Sequence, residues 1–402
     1  ILDQAKDKIA TPDLRSAVAV VADTFYRAKT ALDLLIIEWD NSAGMPNAST
    51  ESWQAEAITL LGKEGPVVQE VRGDPRPILA AASPDKIVKS DVYHRPFDCH
   101  VPMSPPAAVV KIEKDRVDVW GFTQNTSAML LLVADQLKVD PKIVFAHGTF
   151  QGGAFGNGNK TDVARQAAQL AKLCGRPVKV IWTREEDIGQ SRARPPIWAQ
   201  FSADLGSDGL PTAMLSRVVG ESVSPKYADR GIANHPYQVA NYRHERSAVN
   251  STQYVGPNRA PGNNSNGFAI EQFADEMAIA GGWDPLDWRI KMTEGNERWQ
   301  RVLNKMKEVS GFTTDLPKGQ GMGIGIMEDH GSTVGSIVTV DVTKRGNLAI
   351  EKVQIIANSG YCINPLNAEE QIFGAVIWEL SHVLYGGLQI ADGKIQNLNF
   401  DN

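Results

Sequence analysis

Apolar and polar positions switch between a two-residue and a 3.6-residue period along this chain. Ile143–Ala146 is a short, largely apolar run that predicts a buried strand. From Asp162 to Cys174 apolar residues recur at helical spacing and stop at Gly175 and Pro177, the punctuation of a helix C terminus. Val178–Trp182 predicts another strand. Between the first strand and the helix stands Gln151–Gly158, QGGAFGNG, whose four glycines leave the backbone free for positive φ and close approach to a ligand. The unit predicted is strand, glycine loop, helix, strand, suited to a large phosphate-bearing cofactor near a helix N terminus.

The same reading predicts a strand at Ser16–Ala22, then a helix capped by Asp23 and running to about Leu35, with Phe25, Ala28, Leu32 and Leu35 on one face. Ile36–Trp39 reads as a short strand and Asn41–Ser52 as a loop. Ala128–Leu137 is helix-like. Pro196–Leu205 and Pro211–Val219 flank the turn Gly206–Gly209 as a hairpin. Phe268–Ala280 and Glu297–Val309 predict amphipathic helices, with a break and restart at Asp284-Pro285. Pro317–Gly325 reads as a glycine-rich turn. Val334–Val342 and Leu348–Ala357 alternate as a strand pair, and Leu366–Tyr385 predicts a long helix with Ile372, Ala375, Val376 and Val383 on its apolar face.

Composition narrows the classes. A chain of 402 residues with net charge −6 is long enough for two or more domains and carries no basic footprint for nucleic acid. Its longest strongly apolar run, Ala128–Ala134, is too short to cross a bilayer. Cys99, Cys174 and Cys362 are far apart, so neither an iron–sulfur cluster nor a structural zinc site is expected.

Two nucleotide motifs nearly fit the glycine loop and both fail. Gly156 and Gly158 begin a dinucleotide fingerprint whose third glycine is Thr161. Gly153, Gly158, Lys160 and Thr161 approximate a phosphate loop, but Asn159 breaks the spacing before the lysine. Glu185-Glu186-Asp187 imitates a ribose-binding carboxylate and reads instead as a solvated turn. A glycine turn with only a packing role is the plain alternative.

The words around the loop decide between these readings. Trp120-Gly121-Phe122-Thr123-Gln124-Asn125 precedes it; Thr183-Arg184-Glu185-Glu186-Asp187 and Gly256-Pro257-Asn258-Arg259-Ala260-Pro261-Gly262 follow. This order resembles the large subunit of the molybdenum hydroxylases, the xanthine dehydrogenase and aldehyde oxidase family, in particular the branch typified by the isoquinoline 1-oxidoreductase β subunit. The likeness runs from about Ser16 to the last residue. It implies an α+β, multi-domain molybdopterin-binding large-subunit fold of the xanthine oxidase family. The expected division is an N-terminal α/β segment over 1–90, a molybdopterin-binding domain over 91–311 and a second one, truncated, over 312–402. Ile1 and the uncapped end at Asn402 fit an internal segment of a longer protein. The family's essential glutamate, in a GxGE-type word, is expected beyond Asn402. Its cofactor-binding GQG word is expected before the segment, so Gly319-Gln320-Gly321 is read as a turn.

Residue by residue, the resemblance implies that Gln124 offers an oriented side-chain amide to an oxo ligand, acting in catalysis and in cofactor binding. Phe155 lines the substrate path. Gly152, Gly153, Ala154, Phe155 and Gly156 form the cofactor cradle, the amides of Gly153, Ala154 and Gly156 facing the metal's oxygen ligands. Arg259 holds a pterin phosphate or a polar substrate edge, and Gln371 belongs to the family's Q-x-x-G word. No protein group ligates the metal, which the pterin dithiolene holds. Two departures stand out: Ala154 replaces a usual glycine, and Ser104 replaces a usual glutamate in the segment Tyr93–Pro105. His100 and Met103, in that proline-rich segment, read as a satisfied buried histidine and its neighbour rather than metal ligands.

The reaction implied is oxidation of an aldehyde to a carboxylic acid with oxygen from water, the cofactor being molybdopterin with Mo in its cytosine dinucleotide form. Electrons leave through [2Fe–2S] clusters on a small partner subunit. A cytochrome c subunit, a membrane link through it and a periplasmic location are further expectations of the branch. Hydroxylation of an N-heterocycle, a nucleotide-dependent dehydrogenase and a non-catalytic scaffold subunit are the alternatives.

Overall fold

The structure is a computed structural model that describes residues 14–400 apart from 41, 43, 46, 222–227, 252, 344 and 345. Strands β1 (Val67–Arg72), β2 (Ile87–Lys89) and β3 (Tyr93–Arg95) join β8 (Ile197–Leu205), β9 (Pro211–Gly220) and β10 (Asn241–Ser247) in one sheet. Its order is β1-β10-β9-β8-β2 with β3 also on β8, and only β9 and β10 run parallel. Between them in sequence, β4 (Ala107–Glu113), β5 (Arg116–Gly121), β6 (Val144–Gly148) and β7 (Val178–Ile181) form a second sheet, ordered β6-β5-β4-β7. A third, antiparallel sheet comprises β11 (Gln320–Asp329), β12 (Ser332–Asp341) and β13 (Ala349–Asn358).

The helices are α1 (Phe25–Asp33), α2 (Thr50–Leu61), α3 (Pro75–Ala81), α4 (Thr126–Leu137), α5 (Asp162–Cys174), α6 (Arg184–Gln190), α7 (Asn263–Ala280), α8 (Pro285–Met292), α9 (Glu297–Val309) and α10 (Pro365–Tyr385). Helices α4 and α5 cover the second sheet. The buried positions of α5 include Ala164, Ala167, Ala168 and Ala171, small enough to bring its axis close to Val110 and Val119 of the strands. The largest core lies where the first sheet meets α7, α8 and α9, around Phe201, Phe273, Met277 and Trp288. Ile324, Ile326 and Ile337 of the third sheet extend that core, so β11 and β12 are welded to α7 and α9. Each such side chain contributes on the order of 1.5–3 kcal/mol by leaving water.

Several expectations are corrected. Ser16–Ala22 is extended chain with a single bridge residue, Ala17, and Ile36–Trp39 forms no strand. A strand needs a neighbour to pair with, and Ile36, 97 % exposed, has none. Helix α1 is capped by Thr24 rather than Asp23, ends at Asp33 and buries no residue, so its apolar face is exposed. Of the expected loop Asn41–Ser52, residues Asn41, Ala43 and Pro46 lie outside the described residues, and α2 already begins at Thr50, capped by Ser49. The glycine-rich Pro317–Gly325 turns only through Gly319. From Gln320 the glycines occupy alternate positions of β11 and place Ile324 and Ile326 on the core side. Gly319-Gln320-Gly321 is thus a turn followed by a strand edge, with Gln320 Nε2 donating to Asp341 Oδ2 at 3.1 Å. In α10 the expected apolar face meets no core: none of its residues is buried and Val383 is 62 % exposed.

Candidate cofactor and substrate site

The parallel pair β5 and β6, joined through α4, is the element that creates the site. Gly121 pairs with Gly148, so both strands end at the same edge, and the chain leaves that edge twice. One exit is Phe122–Asn125 into α4; the other is the glycine loop. The carboxyl ends of adjacent parallel strands are where open sheets place their ligands. Asn125, not Gln124, caps α4, its side chain accepting from Ala128 N at 2.9 Å, which frees Gln124 for the loop.

Gln124 uses that freedom in an unexpected way. Its Oε1 accepts from Gly156 N at 2.8 Å and from Gly158 N at 3.2 Å, while its own backbone N–H donates to Gly158 O at 3.0 Å. Gln151 Nε2 donates to Thr123 O at 3.3 Å. The two exits are therefore zipped together. The amide of Gly156 is consumed by Gln124, which corrects its expected approach to a ligand. Among the described residues, the N–H groups of Gly153, Ala154 and Phe155 have no protein partner, which leaves three consecutive backbone donors for an acceptor.

Steric detail explains the glycines. A Cβ on Gly152 would lie 2.7 Å from the Met103 Cβ, and one on Gly156, whose φ is +113°, would lie 1.8 Å from Pro257 O. Ala154 is buried and has no positive φ, so its methyl group is accommodated. The strain falls on its neighbour: Phe155 has φ +52°, an uncommon conformation for an aromatic residue. Ser104, where the resemblance expects glutamate, accepts from Gly152 N at 3.2 Å, and Met103 N donates to Gly152 O at 3.2 Å. The segment Tyr93–Pro105 thus braces the loop from outside.

Pro257 ties in a second loop. Its carbonyl accepts from Nε2 of His100 at 2.8 Å, and His100 is 1 % exposed. This fixes the neutral Nε2–H tautomer, and burial drives the imidazole pKa down to about 4. His100 is a structural group, as the sequence suggests, although its Nδ1 finds no protein partner. Among the described residues no cluster of His, Cys, Asp or Glu could hold a metal ion. Two residues past Pro257, Arg259 points its Nη2 at Gln371 O (2.9 Å) and Gln371 Oε1 (3.4 Å). Its guanidinium carbon lies 5.9 Å from the Phe155 ring centroid, and partial burial lowers its pKa. Arg259, Gln371 and Phe155, from three distant segments, meet.

One residue that the sequence reading passed over, Trp378, and one that it read as part of a solvated turn, Asp187, complete the surroundings. Trp378 places its ring centroid 5.3 Å from Phe155, and it lies seven positions after Gln371, two helical turns along the same face. Asp187 is buried and supports the loop: Ser191 Oγ donates to its Oδ1 at 2.8 Å, and Asn157 Nδ2 donates to Ser191 Oγ at 3.0 Å. The run Glu185–Asp187 is therefore no solvated turn. It is the first turn of α6, where Glu186 completes a capping box with Thr183 and Arg184 pairs with Asp187 at 2.6 Å. The N terminus of α5 also differs from expectation. Asp162 sits in its first turn between Arg165 (3.3 Å) and Arg192 (3.2 Å), so a carboxylate already meets the helix dipole.

A family model described as the molybdopterin cofactor-binding domain matches residues 63–293, more than half of the chain. The chain belongs to that family. It is similar to the β subunit of isoquinoline 1-oxidoreductase from Brevundimonas diminuta, 25 % identical over 96 % of this chain and 52 % of the relative. A nicotinate dehydrogenase subunit of Pseudomonas putida is 27 % identical over 94 % of this chain and 34 % of its own length. The membrane-bound aldehyde dehydrogenase of Gluconacetobacter polyoxogenes is 25 % identical over 96 % and 54 %. The chain thus spans about a third to a half of the curated relatives it matches. Among solved structures, quinoline 2-oxidoreductase of Pseudomonas putida 86 shares the fold at TM-score 0.63 and 17 % identity, covering 82 % of this chain and 48 % of that one. The aldehyde oxidoreductase of Desulfovibrio gigas does so at TM-score 0.55 and 20 % identity, covering 71 % and 35 %. The molybdenum subunit of the xanthine oxidase family, expected from Gln124 and the glycine loop, is the family found, and its mixed helix-and-sheet fold is the fold observed.

The residues fit such a cofactor by their own geometry. Free loop donors suit oxygen acceptors, and the glycines allow the backbone to approach a large group without side-chain interference. The aromatic pair Phe155 and Trp378, their rings tilted 35° to each other, gives the site one apolar side.

Proposed function

We propose that this chain is the cofactor-cradling part of a molybdopterin-dependent oxidoreductase that oxidises aldehydes to carboxylic acids. The observation that carries the reading is the glycine loop locked to Gln124 with the N–H groups of Gly153, Ala154 and Phe155 left unpaired. When bound, the molybdopterin supplies the redox chemistry: RCHO and water become RCOOH, two protons and two electrons. The chain's own residues bind and orient. Gln124 holds the loop through Oε1, while its Nε2, with no partner among the described residues, remains as a donor toward the ligand. Phe155 and Trp378 form an apolar wall, and Arg259 adds a cation held by Gln371. The cradle belongs to the proposed domain 91–311, with a second molybdopterin-binding domain beginning at 312.

The finer assignments are part of the same proposal: the cytosine dinucleotide form, a small [2Fe–2S] subunit taking the two electrons, a cytochrome c subunit next in line, and a periplasmic location. Support for a separate electron-accepting chain comes from the cysteines, since Cys99 is buried and Cys174 and Cys362 are exposed and remote from each other in sequence. Hydroxylation of an N-heterocycle is a second reading, favoured by the similarity to the isoquinoline and nicotinate enzymes. Aldehydes are preferred because, once the loop amides and Gln124 Nε2 are given to the cofactor, the aromatic wall and Arg259 add no further set of fixed donors for a ring nitrogen among the described residues.

The test is purification of the full-length protein with its partner subunits, followed by metal and pterin analysis and a substrate panel. Stoichiometric molybdenum with a pterin, and higher kcat/KM for acetaldehyde and benzaldehyde than for isoquinoline and nicotinate, is the expected result. A reversed preference replaces the substrate class. A complex with neither molybdenum nor turnover leaves a scaffold subunit.

A further inference from the structure

We infer that Trp378 sets the size of substrate the site accepts, closing the apolar wall that Phe155 begins. The inference rests on the oxidoreductase reading above and adds to it a specificity-determining residue.

Gln371, Trp378 and His382 stand at intervals of seven and four, so at 100° per residue they fall within about 40° of one another on a single stripe of α10. Each makes a contact with a different part of the molecule. Gln371 receives Arg259. Trp378 meets Phe155, and on its other side its ring centroid lies 4.0 Å from that of His382 in an edge-to-face arrangement. His382 pairs through Nδ1 with Asp98, and both side chains are almost completely buried. Off the stripe, Glu379 takes Arg95 Nη2 at 2.6 Å. Asp98 is itself fixed, since it accepts from Cys99 N at 2.9 Å and lies 3.6 Å from the buried Arg194. The indole is thus held between a clamped histidine and the loop phenylalanine.

Phe155 cannot give way in this pair. Its backbone is in the left-handed region, and its ring packs so closely on Gly153 that a Cβ there would lie 2.8 Å away. Trp378 can be changed with less disturbance. It is half-buried and belongs to none of the hydrophobic cores, so shortening it opens no core cavity, and it makes no hydrogen bond to Gln124 or to the loop amides. The side chain at 378 therefore fixes the space beside Phe155 without taking part in the cradle.

The experiment uses the holoenzyme with its redox subunits and compares wild type with Trp378→Ala and Trp378→Phe. The readouts are molybdenum per protein and the ratio of kcat/KM for 2-naphthaldehyde to that for acetaldehyde. Trp378→Ala is expected to raise the ratio about tenfold, chiefly through KM, the scale on which apolar pocket volume discriminates. Trp378→Phe falls between it and wild type, and molybdenum content is unchanged in both. An unchanged ratio in a fully loaded Trp378→Ala enzyme overturns the inference, as does loss of molybdenum, which makes Trp378 a support of the cradle. If the wild type oxidises heterocycles instead, the same ratio is read between quinoline-sized and pyridine-sized rings. Wild type without molybdenum fails the functional reading itself, and the inference with it.

Discussion

The side-chain oxygen of Gln124 accepts the N–H of Gly156 at 2.8 Å, joining the end of one parallel strand to the loop that leaves the next. That bond, with the companion from Gly158, makes Gln124 a latch as well as a ligand-facing group. The two roles separate by substitution. Gln124→Ala removes both, so molybdenum content and turnover fall together, turnover on the order of 10²-fold. Gln124→Glu keeps an acceptor for the two loop amides but loses the Nε2 donor. It should retain most of the molybdenum while turnover drops. Equal losses of metal in the two variants would mean that the latch does not act through Oε1.

Gly156 faces the sharper steric constraint. At φ +113° an added Cβ would lie 1.8 Å from Pro257 O, whereas Gly175, at φ +63°, has open space around it. Gly175→Ala is expected to cost about 1–2 kcal/mol from its left-handed backbone alone. Gly156→Ala must also push the Pro257–Arg259 loop away, so it should cost clearly more and lower molybdenum content. Thermal unfolding and metal analysis of the two variants check this, and equal shifts in Tm would remove the proposed contact between the loops.

Local periodicity made the well-packed elements legible. Asp162–Cys174 was readable to the residue because alanine and valine at helical spacing, a glycine cap and a following proline all agree. Gln124 and Gln151–Gly156 were legible as a pair, since motif order carries information that single glycines lack. What Gln124 bonds to was not legible: hydrogen-bond partners across 32 positions depend on strand register, which no local pattern contains. Trp378 was missed because a tryptophan on an amphipathic helix reads as core, although its spacing from Gln371 held the clue. Ser16–Ala22 failed for the opposite reason, a strand composition with no edge to pair against.

Buried histidine gives the molecule an acid limit. His100 is held neutral, its pKa pushed down to about 4 by burial first, with His382 and Arg194 nearby also opposing a positive charge; the Pro257 hydrogen bond and Asp98 act the other way. In the unfolded chain an imidazole titrates near 6.5. Above about pH 6.5 neither state carries this proton and the contribution to stability is complete. Between about 6.5 and 4 the unfolded state binds it and the folded state does not, so stability falls as pH falls, by on the order of 3 kcal/mol in all. Denaturant unfolding from pH 7 to 4 should show that slope, and His100→Gln should flatten it. An unchanged slope in the variant would assign the acid lability elsewhere, with His235, whose pKa burial lowers to about 3, the next candidate.

The last prediction concerns a charge cluster far from the glycine loop. Arg289 is fully buried and donates Nε to Glu271 at 2.9 Å and Nη1 to Asp275 at 2.5 Å. Glu271 also accepts from Tyr237 and from Ile326 N, so it links α7, α8 and the first strand of the third sheet. Removing Glu271 leaves Arg289 with Asp275 as its remaining carboxylate and leaves Arg289 Nε, the Tyr237 hydroxyl and Ile326 N without their acceptor. Glu271→Ala is therefore expected to destabilise the protein by about 3–5 kcal/mol. Glu271→Gln keeps the acceptor oxygen for one partner and should cost less. Neither residue touches Gln124 or the loop, so the molybdenum bound per folded molecule should match wild type in whatever fraction survives. Metal analysis of the folded fraction, set beside the unfolding midpoint, separates the two effects. A Glu271→Gln protein that folds with wild-type stability yet loses its metal would show that the third sheet, reached through Ile326, communicates with the cradle.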